Sequence, residues 1–248
     1  MTAEGLTASV EKMRAAGVHQ AAIDTFRHYF ERLAAGETGL LPESEIEPLR
    51  ELPDAERLTE QAPAELVDQA VVVKLNGGLG TGMGMTRAKS LLEVKDGMSF
   101  LDITARQVLH IRERTGARLP FVLMNSFATR DDSLAALERH PGLPSDVPPD
   151  FVQNKEPKLR VDDLAPVEWP ADPNLEWCPP GHGDLYTALV SSGMLDALLE
   201  RGYRYAFVSN SDNLGATFDP RILAWFASRG IPFMSEVCDR TEADKKGG

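Results

Sequence analysis

The strongest constraint on this chain lies between residues 70 and 90. Val71-Val72-Val73-Lys74-Leu75-Asn76 leads without interruption into Gly77-Gly78-Leu79-Gly80-Thr81-Gly82-Met83-Gly84, and the segment runs on through Met85-Thr86-Arg87-Ala88 to Lys89-Ser90. Three consecutive β-branched residues read as a buried strand. Five glycines in the eight positions that follow read as a loop whose backbone comes very close to something. A surface turn needs only one or two glycines for positive φ. Successive N–H groups of such a loop converge on anionic oxygens, and the absence of Cβ atoms lets a phosphate approach.

The pattern of the remaining chain supports an α/β class. Apolar side chains at Val10, Met13, Val18, Ala21, Ile23, Phe26, Phe30 and Leu33 predict amphipathic helix from Thr7 to Ala35, interrupted near Gly17. His19 and His28 on this segment read as solvated or packed side chains. Residues 36–60, rich in Pro, Glu and Asp, read as an irregular, solvated lead-in. After the glycine loop, Leu91-Leu92-Glu93-Val94 reads as a short strand with a turn at Asp96-Gly97. Ser99 or Asp102 then caps a helix that carries Ala105, Val108, Leu109 and Ile111 and stops at Gly116. Phe121-Val122-Leu123-Met124 predicts a buried strand, and Arg130–His140 the next helix. Strand, helix, strand, helix in that order predicts crossover connections and a largely parallel sheet.

Residues 141–180 are proline-rich and weakly periodic, with Phe151-Val152-Gln153 and Lys158-Leu159-Arg160-Val161 as candidate short strands; an irregular stretch of this length points to function. Helical spacing returns from Asp184 to Arg201. Tyr205-Ala206-Phe207-Val208 predicts another buried strand, Pro220 opens a helix through Leu223, Trp225 and Phe226, and Phe233–Val237 predicts a last strand.

Composition limits the function classes. A formal net charge of −12 and a pI near 4.9 disfavour nonspecific binding to nucleic acid or to an anionic membrane, because the summed field repels both. No apolar run approaches the roughly 18–20 residues of a membrane span. Met1-Thr2-Ala3-Glu4 lacks the basic start of a signal peptide, so a cytoplasmic protein is expected. Cys178 and Cys238 are too few for a metal set and are expected to be free thiols. Trp177 and Cys178 read as packing residues.

The glycine loop does not fit the common nucleotide motifs. A Walker loop requires glycine immediately before its lysine, but Ala88 precedes Lys89, and Met83 stands where the first glycine is needed. The dinucleotide fingerprint G-x-G-x-x-G fails at every start, at Met83 or at Met85. The remaining pattern, K-L-N-G-G-L-G-T followed by a lysine, resembles the UTP:glucose-1-phosphate uridylyltransferase family. Three further stretches resemble it in the same order: Phe151-Val152-Gln153-Asn154, Pro179-Pro180-Gly181-His182-Gly183-Asp184, and Val208-Ser209-Asn210-Ser211-Asp212-Asn213-Leu214-Gly215-Ala216-Thr217. The related N-acetylhexosamine-phosphate uridylyltransferases share the loop, but the second and third stretches point to the glucose branch.

The resemblance implies a three-layer Rossmann-like nucleotide-diphospho-sugar transferase fold with a mostly parallel mixed sheet, preceded by an N-terminal helical segment and lead-in over residues 1–69. It implies uridylyl transfer from UTP to glucose 1-phosphate with Mg²⁺. Leu75, Gly77 and Gly78 would lie against the nucleotide, Lys89 would meet the UTP phosphates as the catalytic cation, and Gln153 would read the uracil edge through its amide. Gly181 would touch nucleotide, His182 and Asn210 the sugar phosphate, and Asp212 the nucleotide or Mg²⁺. On residue type alone, Lys89 reads as a solvated surface lysine, and only its place after the glycine loop reverses that; Gln153 reads as an ordinary loop residue, and Asn210 with Asp212 as an Asx turn or helix cap. A histidine between two glycines is poorly placed to fill a core, which favours a site role for His182.

The chain departs from the family where Ala88 replaces the usual proline before the loop lysine, and at Met85-Thr86-Arg87, so the resemblance leaves the loop's path open but keeps the identity of the lysine. The family also continues beyond this length, with more catalytic-domain sequence, another phosphate-contacting lysine and a C-terminal β-helix. Residues 70–248 are therefore expected to be the N-terminal part of a catalytic domain with an incomplete sheet. The alternatives are transfer to an N-acetylhexosamine 1-phosphate, and a chain that binds UTP without turnover.

Overall fold

The structure, a computed structural model, describes residues 2–79 and 87–242. The glycine run therefore divides: Gly77 and Gly78 are described, whereas Gly80, Gly82 and Gly84 lie outside the described residues.

Helices α1 (Thr2–Ala15) and α2 (Gln20–Ala34) are separated at Gly17, whose φ of +71° suits glycine. His19 caps α2, its Nδ1 accepting from the Ala21 N–H at 3.2 Å. The two helices bury Val10, Met13, Ile23, Phe26 and Phe30 against Leu159, Leu164 and Trp177 of the later irregular stretch. Residues 36–60 contain only two single turns of 3₁₀ helix, and helix α3 (Ala64–Val67) follows them.

Strand β1 (Ala70–Asn76) is buried at every position but Leu75. Strands β2 (Glu93–Lys95) and β3 (Met98–Ser99) form a small antiparallel hairpin, with Asp96 and Gly97 both at positive φ in its tip. Leu91 lies before this hairpin in a 3₁₀ turn. Helix α4 (Phe100–Thr115) starts at a capping box in which Ser99 and Asp102 satisfy each other's backbone N–H, and stops at Gly116 in the left-handed region. Strand β4 (Phe121–Asn125), helix α5 (Arg130–Leu137) and strand β5 (Asp150–Val152) come next. The ribbon of β6 (Glu156–Pro157) and β7 (Trp177–Cys178) is followed by α6 (Leu185–Ser191), α7 (Met194–Glu200), β8 (Tyr205–Asn210) and α8 (Pro220–Arg229).

The sheet is β5-β4-β1-β8 and its pairings are parallel throughout. Because side chains alternate across a strand, Val72 of β1 joins the core with α4 and α8. Val71 and Val73 join the opposite core, with α6 and α7. Helices on both faces of a parallel sheet make the three-layer, Rossmann-like α/β arrangement expected.

Four local expectations are corrected. Lys158–Val161 is not a strand: Leu159 makes an isolated bridge to Pro166, and Val161 is 99% exposed in the turn beyond it. Helical spacing over residues 184–201 is divided between α6 and α7, because Gly193 adopts φ +75°. Among the described residues β8 is an edge strand, with β1 on one side and no strand on the other, and its residues alternate between half-buried and exposed. Phe233–Val237 forms no strand and both end residues are about two-thirds exposed; an apolar run becomes a strand only when another edge takes up its hydrogen bonds.

Candidate functional site

The chain passes from β1 outward to β4 and β5 and then returns to the other side of β1 with β8. The order therefore reverses between β1 and β8, and open α/β sheets bind ligands in the crevice beyond the carboxyl ends of strands at such a reversal. Gly77 and Gly78 leave β1 there, and Asn210 ends β8 there, with Asn210 in register with Leu75. The Ser211 N–H donates to the Leu75 carbonyl at 3.1 Å, which extends the pairing past the strand end.

Three of the expected nucleotide residues meet above β4. Gln153 is buried and its backbone N–H donates to the Asn125 carbonyl at 2.8 Å. Its side-chain Oε1 accepts from the Gly181 N–H at 3.3 Å. Its Nε2 lies so close to Gly77 that a Cβ there would stand 1.8 Å from it. The Gln153 amide thus occupies the space a side chain at Gly77 would take, and positive φ plays no part there. Gly181 has φ +99° and ψ −163°, a conformation essentially confined to glycine. It turns the chain into the single 3₁₀ turn His182–Asp184, where His182 is exposed.

A second group lies at the β1–β8 crevice. The Lys89 N–H donates to the Gly78 carbonyl at 3.0 Å, and Leu79 bridges to Ala88, so the two ends of the glycine loop are joined at its base. The Lys89 ammonium pairs with Asp212 at 2.5 Å, across 123 positions of sequence. Asn213, rather than Asn210 or Asp212, makes the Asx turn, its Oδ1 accepting from the N–H groups of Gly215 and Ala216. Contacts therefore run from Gln153 through Gly77 and Gly78 to Lys89 and Asp212, and on through Ser211 to Leu75 and Asn210. His182 reaches this line only through its neighbour Gly181.

No group of three or more His, Cys, Asp or Glu with the arrangement of a metal site occurs among the described residues. Asp212 offers a single carboxylate. That fits Mg²⁺ in the mode where one or two carboxylates and the substrate's own phosphates share a largely hydrated ion.

Beneath the site lies a buried polar network that motif reading missed. Ser90 Oγ donates to Asn76 Oδ1, and Asn76 Nδ2 donates to Asn125 Oδ1 and Ser133 Oγ. Asn125 Nδ2 donates to Asp150, which Arg130 holds through two further bonds. These groups tie the carboxyl ends of β1 and β4 to β5 and to the residue following Lys89. The available signal was an asparagine at the end of each strand, Asn76 and Asn125, which are partners in register.

The Pro-Pro-Gly-His-Gly-Asp stretch is anchored by its last residue. Buried Asp184 accepts from the Asn154 N–H at 2.6 Å and from Asn154 Nδ2 at 2.9 Å. Burial raises its pKa, against the lowering effect of those bonds. Burial, with the nearby charge of Asp184, also pushes Glu156 from the ordinary glutamate value of 4.5 up to about 7. A carboxyl raised in the folded state keeps its proton where the unfolded chain releases it, so stability falls as pH rises from 4.5 to about 7. Glu156→Gln mimics the protonated form. It is expected to raise the melting temperature by a few degrees at about pH 8, on the order of 1–2 kcal/mol after allowing for solvent screening, and to change little at about pH 4. Thermal unfolding at the two pH values checks this, and an equal shift at both would contradict it.

Cys178 and Cys238 are free, and burial raises the Cys178 thiol. Trp177 packs under the ammonium groups of Lys12 and Lys155, as expected of a packing residue. No helix among the described residues is long and apolar enough to cross a membrane.

Residues 23–248 match the family described as UTP--glucose-1-phosphate uridylyltransferase. A protein of that name from Solanum tuberosum is 44% identical over 190 residues, covering 75% of this chain and 40% of its own length. One from Encephalitozoon cuniculi is 40% identical over 207 residues, covering 84% of this chain and 40% of its own length. Among solved structures, a mutant UDP-glucose pyrophosphorylase from Leishmania major in complex with UDP-glucose superposes with a TM-score of 0.92 at 49% identity, covering 98% of this chain and 51% of that one. A UDP-glucose phosphorylase from Trypanosoma brucei gives 0.90 at 47% identity, covering 99% and 53%. The chain thus spans about 40% of the length of the curated relatives and about half of the structural ones.

Proposed function

Since the chain belongs to the UTP--glucose-1-phosphate uridylyltransferase family, we propose that its crevice binds UTP and serves uridylyl transfer to glucose 1-phosphate, giving UDP-glucose and pyrophosphate in the cytoplasm. The observation that carries this reading is the meeting of Gly77 and Gly181 at the Gln153 amide, at the carboxyl ends of the strands, with the Lys89–Asp212 pair at the base of the same glycine loop.

A phosphate oxygen of the sugar 1-phosphate attacks the α-phosphorus of UTP in line. A new P–O bond forms as the bond to the bridging oxygen breaks, and pyrophosphate leaves with that electron pair. The reaction needs two polyanions held close and their charge offset, and no protein nucleophile. Gln153 offers an amide donor and acceptor to the uracil edge. Leu75, Gly77, Gly78 and Gly181 let the nucleotide lie against backbone. Lys89 is the cation for the phosphates, and His182 and Asn210 face the sugar phosphate. Asp212 would hold Mg²⁺, which would supply further charge neutralisation. Lys89 and Asp212 hold each other in place; an arriving phosphate would take over Lys89, and Asp212 would then be free to hold Mg²⁺.

The test is incubation of the chain with UTP, Mg²⁺ and either glucose 1-phosphate or N-acetylglucosamine 1-phosphate, with pyrophosphate release measured. Release with glucose 1-phosphate is the expected result. Release only with the N-acetylated sugar would move the assignment to the other branch, and UTP binding with no release would leave a binding chain without turnover.

A further inference from the structure

We infer that Lys74 is a positioning residue for the site: its buried ammonium holds both ends of the 209–216 loop and so fixes where Asn210 and Asp212 stand. The consequence for ligand binding rests on the functional reading given above.

Lys74 lies in the middle of the buried strand β1 and is 2% exposed. Its side chain shares a face with Val72 and Asn76 and points toward β8, where its register partner is Ser209. Its Nζ donates to Ser209 Oγ at 2.6 Å and to the Ala216 carbonyl at 2.8 Å, and lies 5.5 Å from the centre of the Phe207 ring. Ser209 and Ala216 are the two ends of the segment that carries Asn210 and Asp212. One donor group therefore closes the loop across its base. The loop's rim is also touched by Leu75, whose carbonyl accepts from the Ser211 N–H, by Lys89 at Asp212, and by Gln107 of α4, which donates to the Leu214 carbonyl at 3.1 Å; the Asn213 turn shapes the loop internally. Asn213 sets the loop's form, whereas Lys74 sets its place on the sheet.

Among the described residues no carboxylate pairs with this ammonium, and burial lowers its pKa to about 8. A buried cation held by a hydroxyl, a carbonyl and a ring is costly to desolvate, and an apolar side chain of the same length often packs as well or better. Overall stability therefore does not explain a lysine at this position, whereas placement of the loop does. The same loop reaches across to Lys89 through Asp212, so its position sets the width of the crevice between β1 and β8.

Lys74→Met tests this, because it keeps the length of the side chain and removes the donor. Hydrogen exchange in the free protein reads loop placement without any nucleotide. Amides of residues 210–217 are expected to exchange at least tenfold faster in the variant, with those of β4 unchanged. Unchanged exchange at 210–217 in a folded variant overturns the inference, as does an equal increase throughout the sheet. UTP affinity, measured by calorimetry, is expected to fall at least fivefold, and the further loss is expected to shrink below twofold when Asp212 is already asparagine. An equal loss in both backgrounds would mean that Lys74 does not act through the loop. If the unmodified chain binds no UTP while the exchange result holds, the functional reading fails and the positioning role stands. Should Lys74→Met not fold, Ser209→Ala keeps the lysine and removes one anchor; a smaller increase in exchange at 210–217 supports the inference, and no increase overturns it.

Discussion

Lys89→Ala is expected to weaken UTP binding by roughly ten- to a hundredfold while leaving the fold intact. A hydrogen bond between ionised partners contributes about 1.5–3 kcal/mol, and each 1.4 kcal/mol is a factor of about ten in affinity. Lys89 stands at the base of the glycine loop, joined through its own N–H to Gly78, and its side chain is exposed enough to turn from Asp212 to an arriving phosphate. The substitution also leaves the Asp212 carboxylate uncompensated beside the ligand's negative charge. Folding is spared because the Lys89–Asp212 pair is partly solvated, with side-chain exposures of 47% and 26%, and such pairs contribute only about 0–1 kcal/mol. Calorimetric titration with UTP together with a thermal melt checks both halves. A folded variant that loses less than threefold in affinity would remove Lys89 from the phosphate site.

Gly77→Ala should act by a different route, through space alone. Gly77 does not need positive φ, so alanine suits its backbone. Its Cβ, however, would stand 1.8 Å from Gln153 Nε2, and the amide must move. Gln153 is buried and bonded to the Gly181 N–H, so displacing it breaks that bond and leaves the Asn154–Asp184 bonds to join β5's end to the Gly181 turn. The expected outcome is a loss of about 1–3 kcal/mol in stability, the range for overpacking a filled site, with UTP affinity lowered at least tenfold. Adding Gln153→Ala restores the space. The double variant should recover most of the stability but not the affinity, a non-additive pattern that denaturant unfolding and titration would resolve. Additive losses in stability would show that Gly77 and Gln153 do not share the site as described.

These two residues illustrate what a sequence can carry. The density of glycine after Val71-Val72-Val73 already implied close approach of the backbone, and a local run of residues was enough to show it. What approaches Gly77 within this chain is Gln153, 76 positions later by number, and no local periodicity encodes that meeting. The same holds for the Asn76–Asn125–Asp150 network and for Lys74, which local pattern presents only as one polar residue in an apolar strand. Strands were legible where both faces find cover, as in β1 and β4. Tyr205–Val208 has the same apolar content, but β8 has a neighbour on one side only, and apolar content reports a capacity for burial without reporting what is there to provide it. Phe233–Val237 shows this in full. Capping residues were legible to the residue, because Ser99, Asp102 and Gly116 act on backbone within four positions.

The proposed pyrimidine nucleotide site comprises Gly77, Gln153 and Gly181, with Lys89 close by. Its most direct test is equilibrium titration of the unmodified chain with UTP and, separately, with CTP at the same Mg²⁺ concentration. The two ligands carry identical phosphates and differ only at the base edge that Gln153 is placed to read, where a mismatched hydrogen-bonding pattern leaves buried polar groups unpaired at a cost of about 1–3 kcal/mol. The account predicts that UTP binds at least tenfold more tightly. Equal affinities, or no saturable binding of UTP, would contradict it.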